Sequence, residues 1–116
     1  MTTFNKNLSE PWFSLIKLGL KKCEGRLKKG DFDKIKKGDF IIFENNEFGF
    51  NRSFRIKITS VKYYDSFLDY LKKETLEKCL PGIETFDEGL KIYYKYYNKE
   101  DEQKYKIVAI RLKKNS

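Results

Sequence analysis

The sequence predicts an α+β protein in which a small barrel-like sheet has helices inserted at its ends. Apolar residues recur at helical spacing in three stretches, alternate with polar residues in others, and form two near-continuous runs of strand length. A chain of 116 residues is long enough for one hydrophobic core but too short for two. We therefore expect a single domain over residues 1–116.

The composition excludes a disordered or membrane-spanning chain. Apolar residues make up 40% and aromatic residues 16% of the sequence, which is too rich in core-forming side chains for disorder. No stretch approaches the roughly 18 apolar residues of a membrane span, and no secretory signal is recognisable. Cys23 and Cys79 are too few and too far apart for a disulfide framework or a metal site. We expect a soluble, cytoplasmic protein with no membrane partner, no metal and no cofactor.

The N-terminal part is predicted to contain a helix followed by a charged strand. Ser9 is the predicted N-cap, apolar residues follow at helical spacing from Trp12, and Gly19 is the natural stop. Residues 22–27 alternate charged with small or apolar side chains, as in a strand. Lys21 lies at the bend between the two elements, where we expect it to contribute little packing.

The central part is predicted to form a hairpin and then a helix. Residues 39–43 are a near-continuous apolar run, which predicts a strand buried on both faces. Residues 44–51 form the turn, and residues 54–59 alternate apolar with polar side chains in an antiparallel partner strand. Residues 66–79 suit one helix, which the dipeptide at residues 81–82 breaks.

The C-terminal part is predicted to contain a helix and a closing strand. Thr85 and Glu88 have the spacing of a capping box, and the helix that they start is predicted to end at Asn98. A short acidic turn leads into residues 106–112, whose continuous apolar character predicts a central strand. Four tyrosines between residues 93 and 97 are interpreted mainly as core packing on this helix.

The most informative motif is the G-x-K-x-x-E-x-R pattern of residues 19–26. Lys21, Glu24 and Arg26 are each costly to bury alone, so together they either cover the surface or build a polar pocket. In a catalytic interpretation, burial raises the pKa of Glu24 so that it activates water, while Lys21 stabilises the developing oxyanion. In the simpler interpretation, which we favour, Glu24 forms salt bridges with both cations.

The positive charge is concentrated in one segment. The net charge is +8, and residues 17–37 carry nine lysines or arginines against three acidic residues, which is +6 in this segment alone. A field of this kind suits the phosphates of RNA, and Lys28 and Lys29 flank the motif. A solvated lysine surface that reflects overall composition is the alternative, and the clustering favours nucleic acid.

The chemistry available to an enzyme is restricted because the chain contains no histidine. Ser-His-Asp and Cys-His systems, paired-histidine ribonuclease mechanisms and histidine-containing zinc sites are therefore excluded. Any catalysis must depend on lysine and carboxylates. Among the aromatic residues, Tyr63 and Tyr64 follow a predicted strand and can stack on bases, whereas Trp12 suits either a base pocket or the core.

Four segments, in their order and spacing, carry a resemblance to a known family. They are Glu10–Trp12 with the motif Gly19–Arg26, the stretch Lys36–Phe43, the stretch Lys57–Val61 and the final run Ile107–Leu112. Together they resemble an ASCH domain of the PUA-like superfamily, from about Leu8 to Lys113. The resemblance implies a PUA-like β-barrel of about five or six mostly antiparallel strands, with helices at its mouth and a cleft that receives RNA or a nucleotide.

The resemblance leaves the activity open. ASCH-like proteins are variously proposed as RNA-binding modules and as parts of transcriptional coactivators. One bacterial branch hydrolyses N-acetylcytidine, and another member is described as a ribonuclease. In the amidohydrolase branch a threonine nucleophile stands where this chain has Glu24, and a carboxylate cannot replace that hydroxyl as the acyl acceptor. Cys23, the nearest thiol, is predicted to point to the opposite face of the strand.

Three functional hypotheses follow. The leading one is a module that binds RNA or a nucleotide in a polar cleft. The alternative is a hydrolase acting on a modified nucleoside or on RNA, with Lys21, Glu24 and, by resemblance, Glu74 or Glu77 as catalytic residues. The third is a protein-interaction module, which requires an exposed apolar patch. The candidate ligand-binding residues are Trp12, Lys21, Glu24, Arg26, Lys28, Lys29, Tyr63 and Tyr64.

Overall fold

The computed structural model describes residues 1–114, in which five strands and five α-helices follow one another along the chain. The strands are β1 (Thr3–Asn7), β2 (Cys23–Leu27), β3 (Phe40–Asn45), β4 (Arg52–Tyr64) and β5 (Ile107–Lys113). The α-helices are α1 (Trp12–Lys17), α2 (Phe67–Glu74), α3 (Leu76–Cys79), α4 (Phe86–Tyr93) and α5 (Lys99–Tyr105). A 3-10 helix covers Gly30–Asp33. No helix within residues 1–114 is long and apolar enough to cross a membrane.

The strands form one mixed sheet in the order β1-β3-β4-β5-β2. β1 pairs with β3 in parallel, and the other three pairings are antiparallel. The first half of β4 pairs with β3 and its second half pairs with β5, with an irregular register between Ile58 and Ser60. A long strand that changes partner at an irregularity bends the sheet, because twist accumulates there. The predicted α+β fold is confirmed as a half-barrel of five mostly antiparallel strands with helices around it.

Two apolar clusters pack on the two faces of the sheet. α1 contributes Phe13 and Ile16 to one cluster, and α2 contributes Phe67, Tyr70 and Leu71 to the other. Residues of β5 alternate between the clusters: Val108, Ile110 and Leu112 belong to the first, and Ile107 and Ala109 belong to the second. Because both faces of β5 are covered, its sequence reads as a continuous apolar run. The predicted central strand is confirmed.

The hairpin of β3 and β4 is also confirmed, with two differences of detail. Ile42 is only half-buried, so β3 is less completely covered than predicted. β4 extends to Tyr64, so Tyr63 and Tyr64 end a strand and do not follow one. The capping box is confirmed as well, because the Thr85 hydroxyl accepts from the Glu88 backbone N–H at 3.2 Å.

Several predicted helix boundaries are wrong. α1 begins after Pro11 with no side-chain cap, so Ser9 is not its N-cap. The helix predicted over residues 66–79 breaks at Thr75. Its φ of +81° lies in a region that residues other than glycine rarely adopt. α4 ends at Tyr93 and not at Asn98. Asn98 instead caps α5, where its side chain accepts from the Asp101 N–H at 2.7 Å.

Two elements are absent from the sequence prediction. The acidic segment before β5 is the helix α5, whose Glu102 turns inward and accepts from the Phe67 N–H at 2.7 Å. β1 has few apolar residues, and its position depends on pairing with β3. The buried carboxylate of Asp39 accepts from the Thr2 N–H at 2.9 Å and attaches the start of β1 to that of β3.

Candidate functional site

A cleft of about 560 Å³ lies where the open edge of the half-barrel meets the end of α4. One side of the cleft consists of the turn after β1 and the turn between β3 and β4. Another side consists of β2. The chain just after α4 supplies aromatic side chains. The residues that decide its chemistry are Trp12, Lys21, Glu24, Arg26, Tyr96 and Tyr97.

The floor of the cleft is an ion triad built from the G-x-K-x-x-E-x-R motif. The carboxylate of Glu24 lies 3.3 Å from Lys21 Nζ through one oxygen and accepts from Arg26 Nε at 2.8 Å through the other. Arg26 also donates from Nη2 to the Asn7 carbonyl at 3.1 Å and so connects β2 to β1 across the open edge. The salt-bridged arrangement favoured from the sequence is confirmed.

Lys21 is more deeply embedded than a bend residue was expected to be. Only 2% of the residue is exposed, and its ammonium donates to the carbonyl of Cys23, at 2.7 Å, and to that of Cys79. With Glu24 as its third partner, the three donors of the ammonium are matched by three acceptors. The expectation that Lys21 contributes little packing is wrong, because the chain folds α3 and β2 around its side chain.

Glu24 is held as a carboxylate. Burial by itself raises its pKa, but the charges of Lys21 and Arg26 outweigh burial and leave the pKa below the ordinary value of 4.5. The raised pKa of Glu24 on which the catalytic interpretation depends is therefore not found, in keeping with the salt-bridged interpretation that was favoured. One carboxylate oxygen accepts a hydrogen bond from Arg26 and the other is ion-paired with Lys21, so each retains capacity for a further hydrogen bond. The group can thus accept from an N–H donor of a ligand.

The wall above the triad is aromatic. Trp12 is half-buried, with its ring centroid 5.7 Å from Lys21 Nζ, and Tyr96 is 65% exposed. The pKa of Tyr97 is raised by burial, although the nearby Arg26 opposes the shift. Sequence reasoning assigned the tyrosines after Tyr93 mainly to helix packing. The helix ends at Tyr93, so Tyr96 and Tyr97 leave the helical stripe and reach the cleft.

The turn between β3 and β4 is fixed in place by Asn45, which sequence reasoning missed as a site residue. This buried amide donates to the Leu8 carbonyl at 2.9 Å and to Glu47 at 2.7 Å. Its oxygen accepts from the Glu47 N–H and from Arg52. Because the Asn45 amide is occupied by these partners within the protein, its role is to fix the shape of the cleft rim. The only signal in the sequence was the Asn-Asn pair at a turn.

Glu74 is not brought to the cleft. Its carboxylate accepts from Arg111 through both oxygens, each at 2.9 Å, and from the Tyr64 hydroxyl at 2.5 Å. The Cys23 thiol lies 3.8 Å from the same carboxylate. Neighbouring residues of a strand face opposite ways, so Cys23, Glu74 and Tyr64 lie across β2 from Glu24. Exposed Glu77, the other residue suggested by resemblance, does not line the cleft either.

The basic residues and Tyr63 form a separate surface. Lys28 Nζ lies 4.6 Å from the ring centroid of Tyr63, and Lys29 Nζ lies 5.0 Å from that of Tyr105. The lysines at positions 34, 36 and 37 precede the start of β3, whereas the cleft lies at the end of β3. The six residues of β3 span about 17 Å, so the length of this strand separates these lysines from the cleft. Of the candidate ligand-binding residues, the structure brings together Trp12 and the triad, and it leaves Lys28, Lys29, Tyr63 and Tyr64 outside the cleft.

Within residues 1–114, no three His, Cys, Asp or Glu side chains are grouped closely enough to hold a metal ion. The charged residues that line the cleft are instead the ion triad and, at the turn between β3 and β4, Glu44 and Glu47. This set is suited to a polar organic ligand that offers both N–H donors and oxygen acceptors.

A bent five-stranded half-barrel with helices at its mouth and a cleft at its open edge defines a PUA-like fold. The chain belongs to the ASCH domain family, which matches residues 7–116. The crystal structure of hypothetical protein PH0355 is similar, with 40% identity, a TM-score of 0.85, and coverage of 96% of this chain and 97% of that one. The solution structure of protein PF0455 from Pyrococcus furiosus is 37% identical, with a TM-score of 0.77 and coverage of 96% of both chains. No curated protein matches the sequence.

Proposed function

We propose that the cleft binds one nucleotide unit of RNA, and that the protein is a binding module. The observation that carries this proposal is an aromatic wall facing an ion triad within a single cleft. Its volume of about 560 Å³ falls within the range of about 300–1,000 Å³ that is usual for small-ligand sites. A nucleotide offers the matching chemistry, since it has a flat apolar face and a polar edge.

Each part of the cleft has a role in this proposal. The rings of Trp12 and Tyr96 provide surfaces on which an unpaired base can stack. Glu24 accepts a hydrogen bond from an amino or imino group on the base edge. Arg26 has five N–H donors, of which the triad and Asn7 use two, so others are available for a carbonyl or phosphate oxygen. Lys21 orients Glu24 and makes no ligand contact.

The electrostatics of the triad favour binding over hydrolysis. The lowered pKa of Glu24 makes it a poor base for activating water, because two cations stabilise its ionised form. Position 24 offers no hydroxyl for an acyl-enzyme, and the Cys23 thiol lies on the other face of β2. The basic segment of residues 17–37 adds a positive field that draws nucleic acid toward the protein.

Fluorescence anisotropy with a labelled random-sequence RNA pool tests the proposal. We expect binding at low salt that weakens steeply as salt is raised. Tyr96→Ala should weaken binding about tenfold, since stacking of a base on an aromatic ring is worth about 1–3 kcal/mol. Tyr63→Ala is the matched control, because Tyr63 is 53% exposed but lies outside the cleft. Absence of binding at low salt, or equal losses in the two variants, would reject the proposal.

A turnover assay separates this proposal from the hydrolase alternative. With N-acetylcytidine as substrate, we expect no release of acetate and no acyl-enzyme in mass spectra of the intact protein. Release of acetate that disappears in Glu24→Gln would make hydrolysis the leading function, because that variant keeps the shape of the side chain and removes the carboxylate.

A further inference from the structure

A second depression shares a wall with the cleft. It has a volume of about 430 Å³ and is lined by Tyr94, Lys95, Tyr96, Tyr97, Asn98 and Lys99. Tyr96 and Tyr97 line both spaces, so this pair of residues forms a wall common to the two. We call residues 94–99 the second subsite. A ligand that fills the cleft and extends over Tyr96 enters the second subsite directly.

We propose that the second subsite holds the next nucleotide and its phosphate in an RNA strand, so that the ligand is an oligonucleotide and not a free nucleotide. This inference rests on the proposed function of the cleft. It adds the class of ligand and the direction in which the RNA strand leaves the cleft. The RNA strand runs over the residues that follow α4 and not toward the basic segment around Lys28 and Lys29.

The charges of the second subsite suit a phosphate. Lys95 and Lys99 are exposed, and neither forms an ion pair with any residue in the range 1–114. Lys99 Nζ lies 5.5 Å from the ring centroid of Tyr94, so cation and aromatic ring are already adjacent. Positively charged grooves that also carry aromatic rings are typical of sites for single-stranded nucleic acid.

Three acidic residues, Glu100, Asp101 and Glu102, follow Lys99 in the first turn of α5, and none of them lines the second subsite. The Tyr94 hydroxyl donates to both oxygens of Glu102, at 2.8 and 3.0 Å, and the same carboxylate accepts from the Phe67 N–H. Glu102 is 5% exposed and faces the interior. These contacts fix the ring of Tyr94 in place and keep the carboxylate out of the second subsite. The charged residues that line the second subsite are therefore Lys95 and Lys99.

The test compares ligands of two lengths. The probes are a labelled random-sequence RNA hexanucleotide and the four ribonucleoside monophosphates, which are added as competitors. For the natural sequence we expect the hexanucleotide to bind at least ten times more tightly than any monophosphate. Lys95→Gln combined with Lys99→Gln should remove most of this difference while monophosphate affinity changes less than twofold. The salt slope should fall by about 0.7, which corresponds to the loss of one neutralised phosphate.

The matched control is Lys28→Gln combined with Lys29→Gln, which removes the same two charges from the other surface. We expect it to change hexanucleotide affinity by less than about twofold. Equal losses in the two double variants, or a hexanucleotide that binds no better than a monophosphate, would overturn the second subsite and leave the cleft proposal intact. If neither probe binds, the cleft proposal itself fails and this inference fails with it. Thermal unfolding of each variant verifies that the fold is unchanged.

Discussion

Lys21 fastens the end of α3 to the start of β2. Its ammonium donates to the carbonyls of Cys79 and Cys23, one in each element, and lies 3.3 Å from Glu24. Next to it, the Lys22 N–H donates to the Lys78 carbonyl at 2.9 Å. A buried ammonium is costly unless all its donors are paired, and here they are. The lysine is thus a structural part of the cleft floor.

Lys21→Ala should therefore destabilise the fold, by about 3 kcal/mol or more, because it leaves two carbonyls and a buried carboxylate oxygen without their partner. This expected loss of stability replaces the small loss that was anticipated from the sequence, where Lys21 was placed at a bend. Urea denaturation measures the change. Lys22→Ala, at the exposed neighbouring position, is the control and should change stability by less than about 0.5 kcal/mol. Equal midpoints for the two variants would contradict the structural role.

Glu24 should make stability depend on pH in a predictable direction. Its folded-state pKa lies below the ordinary value of 4.5, so its contribution is present above that value and is lost as pH falls through the folded-state pKa. Glu24→Gln should cost about 3 kcal/mol at pH 7, since it leaves Lys21 and Arg26 without their carboxylate. The difference in stability between variant and natural protein should narrow as pH falls below the ordinary value of 4.5.

Urea denaturation at pH 7 and pH 3 measures this narrowing. Glu77→Gln, at an exposed carboxyl on α3, serves as the control and should have little effect at either pH. A difference between Glu24→Gln and the natural protein that stays constant between the two pH values would show that the ion triad is not the source of the stabilisation.

At the scale of elements, β2 packs against α2 at very short range, and Gly25 makes this approach possible. A Cβ atom placed on Gly25 would lie 2.5 Å from a ring carbon of Tyr70, which is fully buried. The ring cannot withdraw, because Phe67 and Tyr93 surround it and its hydroxyl lies 3.1 Å from that of Tyr93. The glycine between Glu24 and Arg26 therefore sets the depth at which the triad lies.

Gly25→Ala should cost about 3 kcal/mol through overpacking. Gly89→Ala in α4 is the control, because its added Cβ would lie 3.1 Å from the flexible ends of two leucines and alanine favours a helix. We expect the control to change stability by less than about 1 kcal/mol. Urea midpoints compare the two variants, and similar midpoints would mean that Tyr70 has more room than the structure indicates.

At the scale of the whole molecule, one side chain closes the open edge of the half-barrel. β1 and β2 are the two edge strands and do not pair with each other. Arg26 spans them by donating to Glu24 in the triad and to the Asn7 carbonyl at the end of β1. Its guanidinium also lies 5.0 Å from the ring centroid of Phe32. The planar guanidinium presents five donors in a fixed fork that reaches these partners together, whereas a lysine at position 26 would offer one compact ammonium.

Arg26→Lys should loosen β1 while the charge is retained. We expect a loss of about 1.5 kcal/mol and faster amide hydrogen exchange in β1, whose other attachments are its parallel pairing with β3, the Asp39 contact at its start and the Lys6–Asp31 ion pair. Amides of β5, in the interior of the sheet, are the internal reference. Equal acceleration in β1 and β5 would indicate global unfolding and contradict the closing role.

Much of the candidate site could be predicted from the sequence, but its environment could not. The spacing of Lys21, Glu24 and Arg26 in one motif predicted that the three charges act together, and they do. The direction of the Glu24 pKa shift depended on whether burial or the charges of Lys21 and Arg26 dominate. Only the distances between these groups decide which of the two is larger. Tyr96 entered the cleft because α4 ends early, which its apolar spacing did not indicate.

Elements without an apolar pattern of their own were the ones missed. α5 has the sequence KEDEQKY, and it is held by the Asn98 cap and by the inward contacts of Glu102. β1 depends on β3, which follows it by many residues, and on Asp39. In both cases the stabilising partner is distant in sequence, so local periodicity carried no signal.

By itself, the sequence determined the fold class, the hairpin, the central strand and the ion-paired motif, because each depends on local periodicity or on residues a few positions apart. The tertiary structure decided which charges are buried, which aromatic residues face the cleft, and where the basic segment lies relative to it. Those properties depend on how distant elements meet. Lys21 is buried because α3 supplies the Cys79 carbonyl, and Glu74 is excluded from the cleft because it lies across β2 with Arg111.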